Sequence, residues 1–274
     1  MRAFDTGRCQ TAAAAFRALH APGHLLILAN AWDAGSARLI QSLGAAAIAT
    51  TSSGVAWAHG YPDGDALPAD VLVATVRAIA RVVAVPLTVD VEGGYADDAE
   101  TVAATVARVV DAGACGINIE DGSAPPARLA AKIAAIRRAA GDAVFINART
   151  DVYLRGMGSA ASRPGEVAAR IAVYRDAGAD GIFIPGLTDP DGIAAAVAAA
   201  GALPLNLMAL PALPDASGLR TLGVRRLSAG GGIAGAAIAR ARSLAERFLA
   251  DGDSTALHAA DNVAYAAMKA LMRA

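Results

Sequence analysis

Cysteine, aromatic residues, net charge and long apolar runs are all scarce in this 274-residue sequence, and each shortage closes off a class of protein. The two cysteines, Cys9 and Cys115, cannot build a disulfide framework and lack metal-ligand spacing, so a reducing cytoplasm is the expected home. A formal net charge of -1, with a pI near 6.4, leaves no electrostatic footprint for nucleic acid or for an anionic membrane, and neither is expected as a partner. The opening stretch MRAFDTGRCQ is polar and has no apolar core of a signal peptide, so nothing points to export. No charge falls between Asp191 and Asp215, but Gly201, Pro204, Asn206 and Pro211 interrupt that segment. It reads as a short helix followed by a buried strand rather than a lipid-facing helix. Aromatics supply only 4% of residues against 55% hydrophobic overall, so the core must come from Ala, Val, Leu and Ile.

What is present is a repeat. DAGACGINIE from Asp111 and DAGADGIFIP from Asp176 each read as a helix end, a Gly-containing turn and a short apolar strand. SLGAAAIATT from Ser42 and TLGVRRLSAG from Thr221 follow the same plan. Apolar runs bounded by turns give eight strands: Leu25–Ala29, Ala46–Thr50, Leu87–Val91, Gly116–Ile119, Val144–Asn147, Gly181–Ile184, Pro204–Met208 and Arg225–Ser228. Helical spacing fills the gaps. Val102, Val106, Val109 and Val110 share a face behind a cap at Asp97 with Glu100 three residues on. Leu129, Ile133 and Ile136 repeat the pattern, as do Val167, Ile171 and Tyr174, and Pro68 suits the first turn of a helix reaching about Val82. Eight strands alternating with helices predict an α/β fold, a (β/α)8 TIM barrel formed as one domain over residues 1–274. An open doubly wound sheet competes, but no Gly-x-Gly-x-x-Gly follows the first strand. Two C-terminal helices, over about 233–274, exceed what closure of one barrel requires.

The stretch PLTVDVEGGYADD, from Pro86, ends a strand in two carboxylates one residue apart, followed by a glycine pair. Alternation places Thr88, Asp90 and Glu92 on one face, which in a barrel points inward. Polar residues also follow other strands: Asn30, Trp32 and Asp33; Thr51, Ser52 and Ser53; Glu120 and Asp121; Arg149 and Asp151; and Asn206. All fall at the C-terminal rim, where barrels of this kind gather catalytic groups. Asp90, Glu92 and Glu120 converging there would repel one another unless a cation sat among them. A hard divalent ion, Mg2+ with Mn2+ able to substitute, meets that need, and the glycines would let backbone and solvent approach it.

These residues resemble the isocitrate lyase/phosphoenolpyruvate mutase superfamily, in its phosphoenolpyruvate mutase/2-methylisocitrate lyase-like part. The resemblance runs from about Leu28 to Leu210 through NAWDAGSARLIQSLG, TTSSGVAWAHGYPDG, VDVEGGY, NIEDG and INARTDVY in that order. It implies a (β/α)8 barrel whose eighth helix is exchanged between subunits of a homodimer or homotetramer, which would give the surplus C-terminal helices a role in subunit packing. It implies Asp90 as the principal Mg2+ ligand, with Asp63, Glu92 and Glu120 holding metal-bound waters. Thr51, Ser52 and Ser53 match the segment that binds the carboxylate and oxo group of an α-oxo acid, Arg149 matches an arginine that neutralises substrate charge, and Trp32 and Asp33 match pocket-lining positions. The function implied is a Mg2+-dependent carbon–carbon lyase acting on a small α-oxo or 2-hydroxy carboxylate through an enolate.

Departures from the family pattern limit that reading. EDGSAPPARLAAKI passes from Glu120 and Asp121 to a helix beginning near Pro126, so the lid is short and lacks the lyases' Lys-Lys-Cys-Gly-His motif. Cys115 precedes its strand, belongs at the opposite end of the barrel, and reads as a core thiol. Pro185 stands where mutases often have histidine. His59, in the loop that carries Asp63, is then a candidate acid or base, with Asp121, Tyr95 and Tyr153 as further candidates. Two other functions stay open: P–C bond chemistry on a phosphonate, to which the Gly-rich SAGGGIAG from Ser228 lends support, and an α-oxo acid binder without turnover.

Overall fold

The computed structural model describes residues 6–259 and 262–273. Met1–Asp5, part of the polar opening stretch, lie outside the described residues, as does the side chain of Cys9. Nine strands, all parallel, run β1 Leu26–Leu28, β2 Asn30–Ala31, β3 Ile48–Thr50, β4 Leu87–Asp90, β5 Gly116–Glu120, β6 Phe145–Arg149, β7 Gly181–Phe183, β8 Leu205–Met208 and β9 Arg226–Ser228. Their ladder order is β1-β9-β8-β7-β6-β5-β4-β3-β2. Because β1 and β2 are one strand broken only at Ala29, pairing of β1 with β9 and of β2 with β3 closes the ring into a (β/α)8 barrel. Each strand read from the sequence lies within two residues of its place. β3, β4 and β7 are buried on both faces, as parallel strands under a helical layer must be.

Among the described residues eleven α-helices accompany them: α1 Thr6–Ala18, α2 Ala34–Ser42, α3 Ser52–Ala58, α4 Ala69–Ala80, α5 Ala99–Asp111, α6 Pro126–Ala140, α7 Arg163–Asp176, α8 Pro190–Ala200, α9 Ala216–Thr221, α10 Gly232–Asp251 and α11 Tyr265–Leu271. The four valines on α5, the Leu-Ile-Ile set on α6 and the Val-Ile-Tyr set on α7 are all buried, each apolar side chain contributing about 1.5–3 kcal/mol. The cap of α5 is Asp98, one residue later than the sequence reading: its carboxylate accepts the Thr101 amide at 2.8 Å, while Asp97 pairs with Arg128 of α6. The uncharged segment after Asp191 divides into α8 and β8, and no helix among the described residues is long and apolar enough to cross a membrane.

The N-terminal end of the barrel is plugged. Phe16 of α1 is fully buried against Phe145 and His20, with edge-on ring contacts at 5.3 and 4.9 Å. Gly116 makes room for it, since a Cβ there would stand 3.0 Å from Phe16 Cε1. Cys115 belongs to this lower cluster, as its place before the strand implied. The other end of the chain is the reverse case. α10 buries only Ala234, while Ile238 and Phe248 lie exposed, and Ile27 on β1 is 57% exposed, with no helix among the described residues covering it.

Candidate active site

Asp90 closes β4 inside the barrel mouth. Its amide donates to Thr50 Oγ1 at 2.9 Å, which ties β4 to β3, and its Oδ1 accepts the Glu92 amide at 3.1 Å. Burial pushes this carboxyl above the usual range, with Arg149 opposing the shift and Asp63 adding to it.

Glu92 does not continue the strand alternation. Its φ of 51° turns the chain, and the carboxylate reaches back to the Asp63-bearing loop, where Oε2 accepts the Gly64 amide at 2.7 Å and that of Asp65 as well. Oε1 accepts the Tyr95 hydroxyl at 3.0 Å. With three protein donors already on it, Glu92 anchors a loop. The glycine pair serves packing rather than solvent access: a Cβ on Gly93 would collide with Asp65 Oδ2, and one on Gly94, at φ 98°, would lie 2.6 Å from Val102 Cγ1.

Glu120 ends β5 and Arg149 ends β6, and their Cα atoms are register partners. Arg149 Nη1 lies 2.6 Å from Glu120 Oε2, while its Nε and Nη2 donate to the fully buried Asp151 at 2.6 and 3.2 Å. Three of its five N–H groups are thus held and two remain without a protein acceptor among the described residues. Burial pushes Glu120 up to about 8, against the pull of Arg149.

Thr51 precedes α3 without capping it through its side chain, and its Oγ1 meets Ser53 Oγ at 3.1 Å. Gly231 packs directly over this turn, since a Cβ on it would sit 2.8 Å from Ser53 Oγ. The Gly-rich stretch therefore serves close approach here. Trp32 is half-buried beside Gly54 of the same turn. Asp33 is exposed and caps α2, its Oδ1 accepting the Ser36 amide at 2.6 Å, so its oxygen faces a helix end rather than the mouth.

The other candidates scatter. Asp63 is exposed, yet its charge opposes ionisation of both Asp90 and Glu92, which places it beside them. His59 is exposed and turned outward, Nε2 lying 2.9 Å from Thr75 Oγ1 on α4, because the helix end that carries it faces that neighbour. It is not brought to the carboxylates. Asn206, the second residue of β8, is fully buried; its register partners are Phe183, itself the partner of Arg149, and Arg226. Tyr95 is spent on Glu92, with burial pushing its hydroxyl far up, and Tyr153 lies toward Gly192 of α8.

Asp121 has a structural task. Its Oδ2 accepts Arg170 Nη1 at 2.7 Å and the Tyr174 hydroxyl at 2.5 Å, and its Oδ1 accepts the Asp151 amide at 2.9 Å. Sequence reasoning left Asp151 without a role and passed over Arg170 and Arg226. The two-residue spacing of Arg149 and Asp151, with Arg155 four further on, was the available signal for the first. Nothing in the sequence marks Arg226 as the fully buried guanidinium it is.

Among the described residues no three His, Cys, Asp or Glu side chains form a ready cation cage. The donor set still suits Mg2+, which keeps several waters and takes one or two carboxylates. Asp90 is a buried carboxylate short of charge compensation, and Glu120, Glu92 and Asp63 are near enough for their charges to couple to it or to one another.

Residues 16–249 match the family described as phosphoenolpyruvate phosphomutase. Among solved structures, a phosphonomutase-like protein of Burkholderia cenocepacia J2315 is 40% identical with a TM-score of 0.81, covering 86% of this chain and 99% of that one. A phosphonopyruvate hydrolase, in complex with oxalate and Mg2+, is 27% identical with a TM-score of 0.82, covering 94% of each chain. The 2-methylisocitrate lyase of Escherichia coli K12 is 36% identical over 108 residues, 39% of this chain and 36% of that enzyme. The chain spans about half the length, or less, of the curated relatives it matches.

Proposed function

The chain belongs to the phosphoenolpyruvate phosphomutase family, within the superfamily that includes isocitrate lyase, and from that premise we propose that it is a Mg2+-dependent carbon–carbon lyase for a small α-oxo or 2-hydroxy carboxylate. The observation that carries this reading is the meeting at one mouth of the buried Asp90, the Glu120–Arg149 pair and the Thr51–Ser53 turn.

Asp90 would hold the cation directly, with Glu120, Glu92 and Asp63 holding its waters. When bound, the cation supplies a Lewis acid that favours the enolate left as the bond at C3 breaks. The chain does the rest. The start of α3 offers amides that Thr51 leaves uncapped, and the Thr51 and Ser53 hydroxyls stand beside them to orient a carboxylate and its oxo group. Arg149, locked by Asp151 and Glu120, presents its two remaining N–H groups as counter-charge to developing negative charge. Glu92 holds the loop of Gly64 and Asp65 across the mouth, which fixes Asp63 near Asp90 and narrows solvent access.

The uncovered Ile27 and the exposed apolar residues of α10 support exchange of that helix between copies of the chain, giving a homodimer or homotetramer; light scattering on purified protein that returns only monomer would remove this part. The cytoplasm remains the proposed compartment, on the cysteine usage alone.

P–C bond chemistry is the second reading, favoured by the likeness to phosphonopyruvate hydrolase. One panel separates the possibilities. Purified protein with Mg2+ should release pyruvate, glyoxylate or another oxo acid from branched or hydroxylated dicarboxylates, and Asp90→Ala should abolish this while leaving the fold intact. Phosphate release from phosphonopyruvate would instead establish the second reading, and binding without turnover across the panel a non-catalytic binder.

A further inference from the structure

The fully buried Asp151 carboxylate holds two arginines. Oδ1 and Oδ2 take Nε and Nη2 of Arg149, whose guanidinium faces the candidate active site, and Oδ2 also takes Arg155 Nε at 2.9 Å. Asp151 is itself fixed through its amide by Asp121. Arg155 is thus braced at Nε by the same carboxylate that holds Arg149, while its side chain is 48% exposed. Its Nη groups have no hydrogen-bond partner among the described residues.

Arg155 lines a cavity of about 470 Å3 whose wall also includes Glu120, the ion-pair partner of Arg149. The short connection from Glu120 to α6 keeps it open. Gly122 lies under Arg155, and a Cβ there would stand 3.7 Å from Nη2. The other charges along the cavity are occupied. Lys132 Nζ donates to the Gly93 and Ala96 carbonyls at 2.6 and 2.9 Å, Arg128 pairs with Asp97, Asp121 is held by Arg170, and Asp65 Oδ1 accepts the Gly93 and Tyr95 amides. Arg128 meets only the exposed Asp97, through one Nη, whereas Arg155 is braced at Nε by a fully buried carboxylate that leaves both Nη groups forward, and a half-exposed guanidinium fork so held matches a carboxylate in two parallel bonds.

We infer that Arg155 binds a second carboxylate, at the end of the substrate remote from its oxo-acid group, and so selects short-chain dicarboxylates over monocarboxylates. This rests on the oxo-acid reading of the Asp90 and Arg149 site. One buried carboxylate would then set the spacing between the arginine that counters charge at the reacting end and the one that grips the far end of the substrate.

Titration calorimetry in Mg2+ tests it, with pyruvate, and oxalate whose adjacent carboxylates both fall at the oxo-acid end, as probes that lack a remote carboxylate, and malate and 2-oxoglutarate as probes that carry one. Wild-type protein should bind the dicarboxylates about tenfold more tightly than pyruvate. Arg155→Gln should remove that advantage while pyruvate and oxalate change less than about twofold, and Arg155→Lys should fall between, since an ammonium keeps charge without the fork. A melting temperature close to wild type guards against misfolding. Unchanged dicarboxylate affinity in Arg155→Gln, or an Arg155-dependent gain seen with phosphonopyruvate alone, overturns the inference. Failure of wild-type protein to bind either pyruvate or oxalate is a different result: it sinks the oxo-acid reading, and the inference with it.

Discussion

Glu120 and Arg149 stand opposite one another on neighbouring strands, and the guanidinium closes to 2.6 Å of the carboxylate without cancelling the effect of burial upon it. With its carboxyl pushed up to about 8, Glu120 keeps a share of its proton at neutral pH in cation-free protein. A divalent ion favours the ionised form, so binding must expel that proton. Apparent Mg2+ affinity should rise as pH rises from 6 toward about 8 and then level off. Calorimetry in two buffers of different ionisation enthalpy should show release approaching about one proton per cation near neutrality. Glu120→Gln should show none, and release persisting in that variant would move the proton to another group.

The Asp121 carboxylate joins α7 to the end of β5 through Arg170 and Tyr174, all three side chains buried. Asp121→Asn removes one of the two carboxylates that hold Arg170 and leaves it with Glu166, at a cost of about 1.5–3 kcal/mol. Tyr174→Phe loses one hydrogen bond and should cost about 1 kcal/mol. Urea denaturation measures both. If Asp121→Asn fell within about 1 kcal/mol of wild type, the network would be incidental to stability.

The repeated helix-turn-strand passages showed the barrel plainly, because a parallel strand covered on both faces must be a short apolar run and a surface helix must carry an apolar stripe. The rim was legible for the same reason: a strand that turns polar at its last residue has reached the mouth, as Asp90, Glu120 and Arg149 have. What could not be read was decided by single backbone angles and by distant neighbours. Glu92 was assigned by alternation, and a left-handed φ cancelled that alternation. His59 lies in the expected loop, but the exit of α3 aims it at Thr75. Asp97 and Asp98 are equivalent as caps in sequence, and Arg128 claims the first. The plug formed by α1 was passed over, although Ala13, Phe16 and His20 carry helical spacing.

Arg226 crosses the barrel interior beneath Asp90, donating Nη2 to Asn118 Oδ1 at 3.1 Å and lying over the Phe16 ring at 5.7 Å. Nε and Nη1 find no protein partner, and no carboxylate is within salt-bridge reach among the described residues. Burial brings the guanidinium down to about 9, a measure of how poorly its charge is supported. Arg226→Met keeps the length, restores contact with Phe16 and leaves Asn118 bonded to Asn147 at 2.9 Å. It should be neutral or stabilising by about 1–3 kcal/mol in thermal unfolding. Arg226→Ala, which opens a cavity, should lose about 2–5 kcal/mol. A Met variant less stable than wild type would mean that buried water or an ion serves the two unpaired nitrogens.

His20 turns the plug at the bottom of the barrel into an acid-sensitive element. Nδ1 lies 2.9 Å from the Phe16 carbonyl and so carries the proton, the ring stacks on Phe145 at 4.7 Å, and Nε2 is buried without a partner. Burial, helped by the charge of Arg226, lowers its pKa to about 4 from 6.5. Between those values the unfolded chain binds the proton and the folded chain does not, so stability rises with pH across that window. The contribution is complete above about 6.5, and about 3 kcal/mol of it is lost as pH falls to about 4. Asp90, Glu92 and Glu120 are shifted the other way, and carboxyls raised by folding lose stability as pH rises, so the raw profile of the protein mixes both signs. His20→Asn isolates the term, because its amide can still donate to Phe16 but does not titrate. The difference in unfolding free energy between wild type and this variant, measured by denaturant at pH 7.5, 6, 5 and 4.5, should move steadily against wild type as acid is added. A difference that stays flat would show that Nε2 already has a partner able to carry the proton.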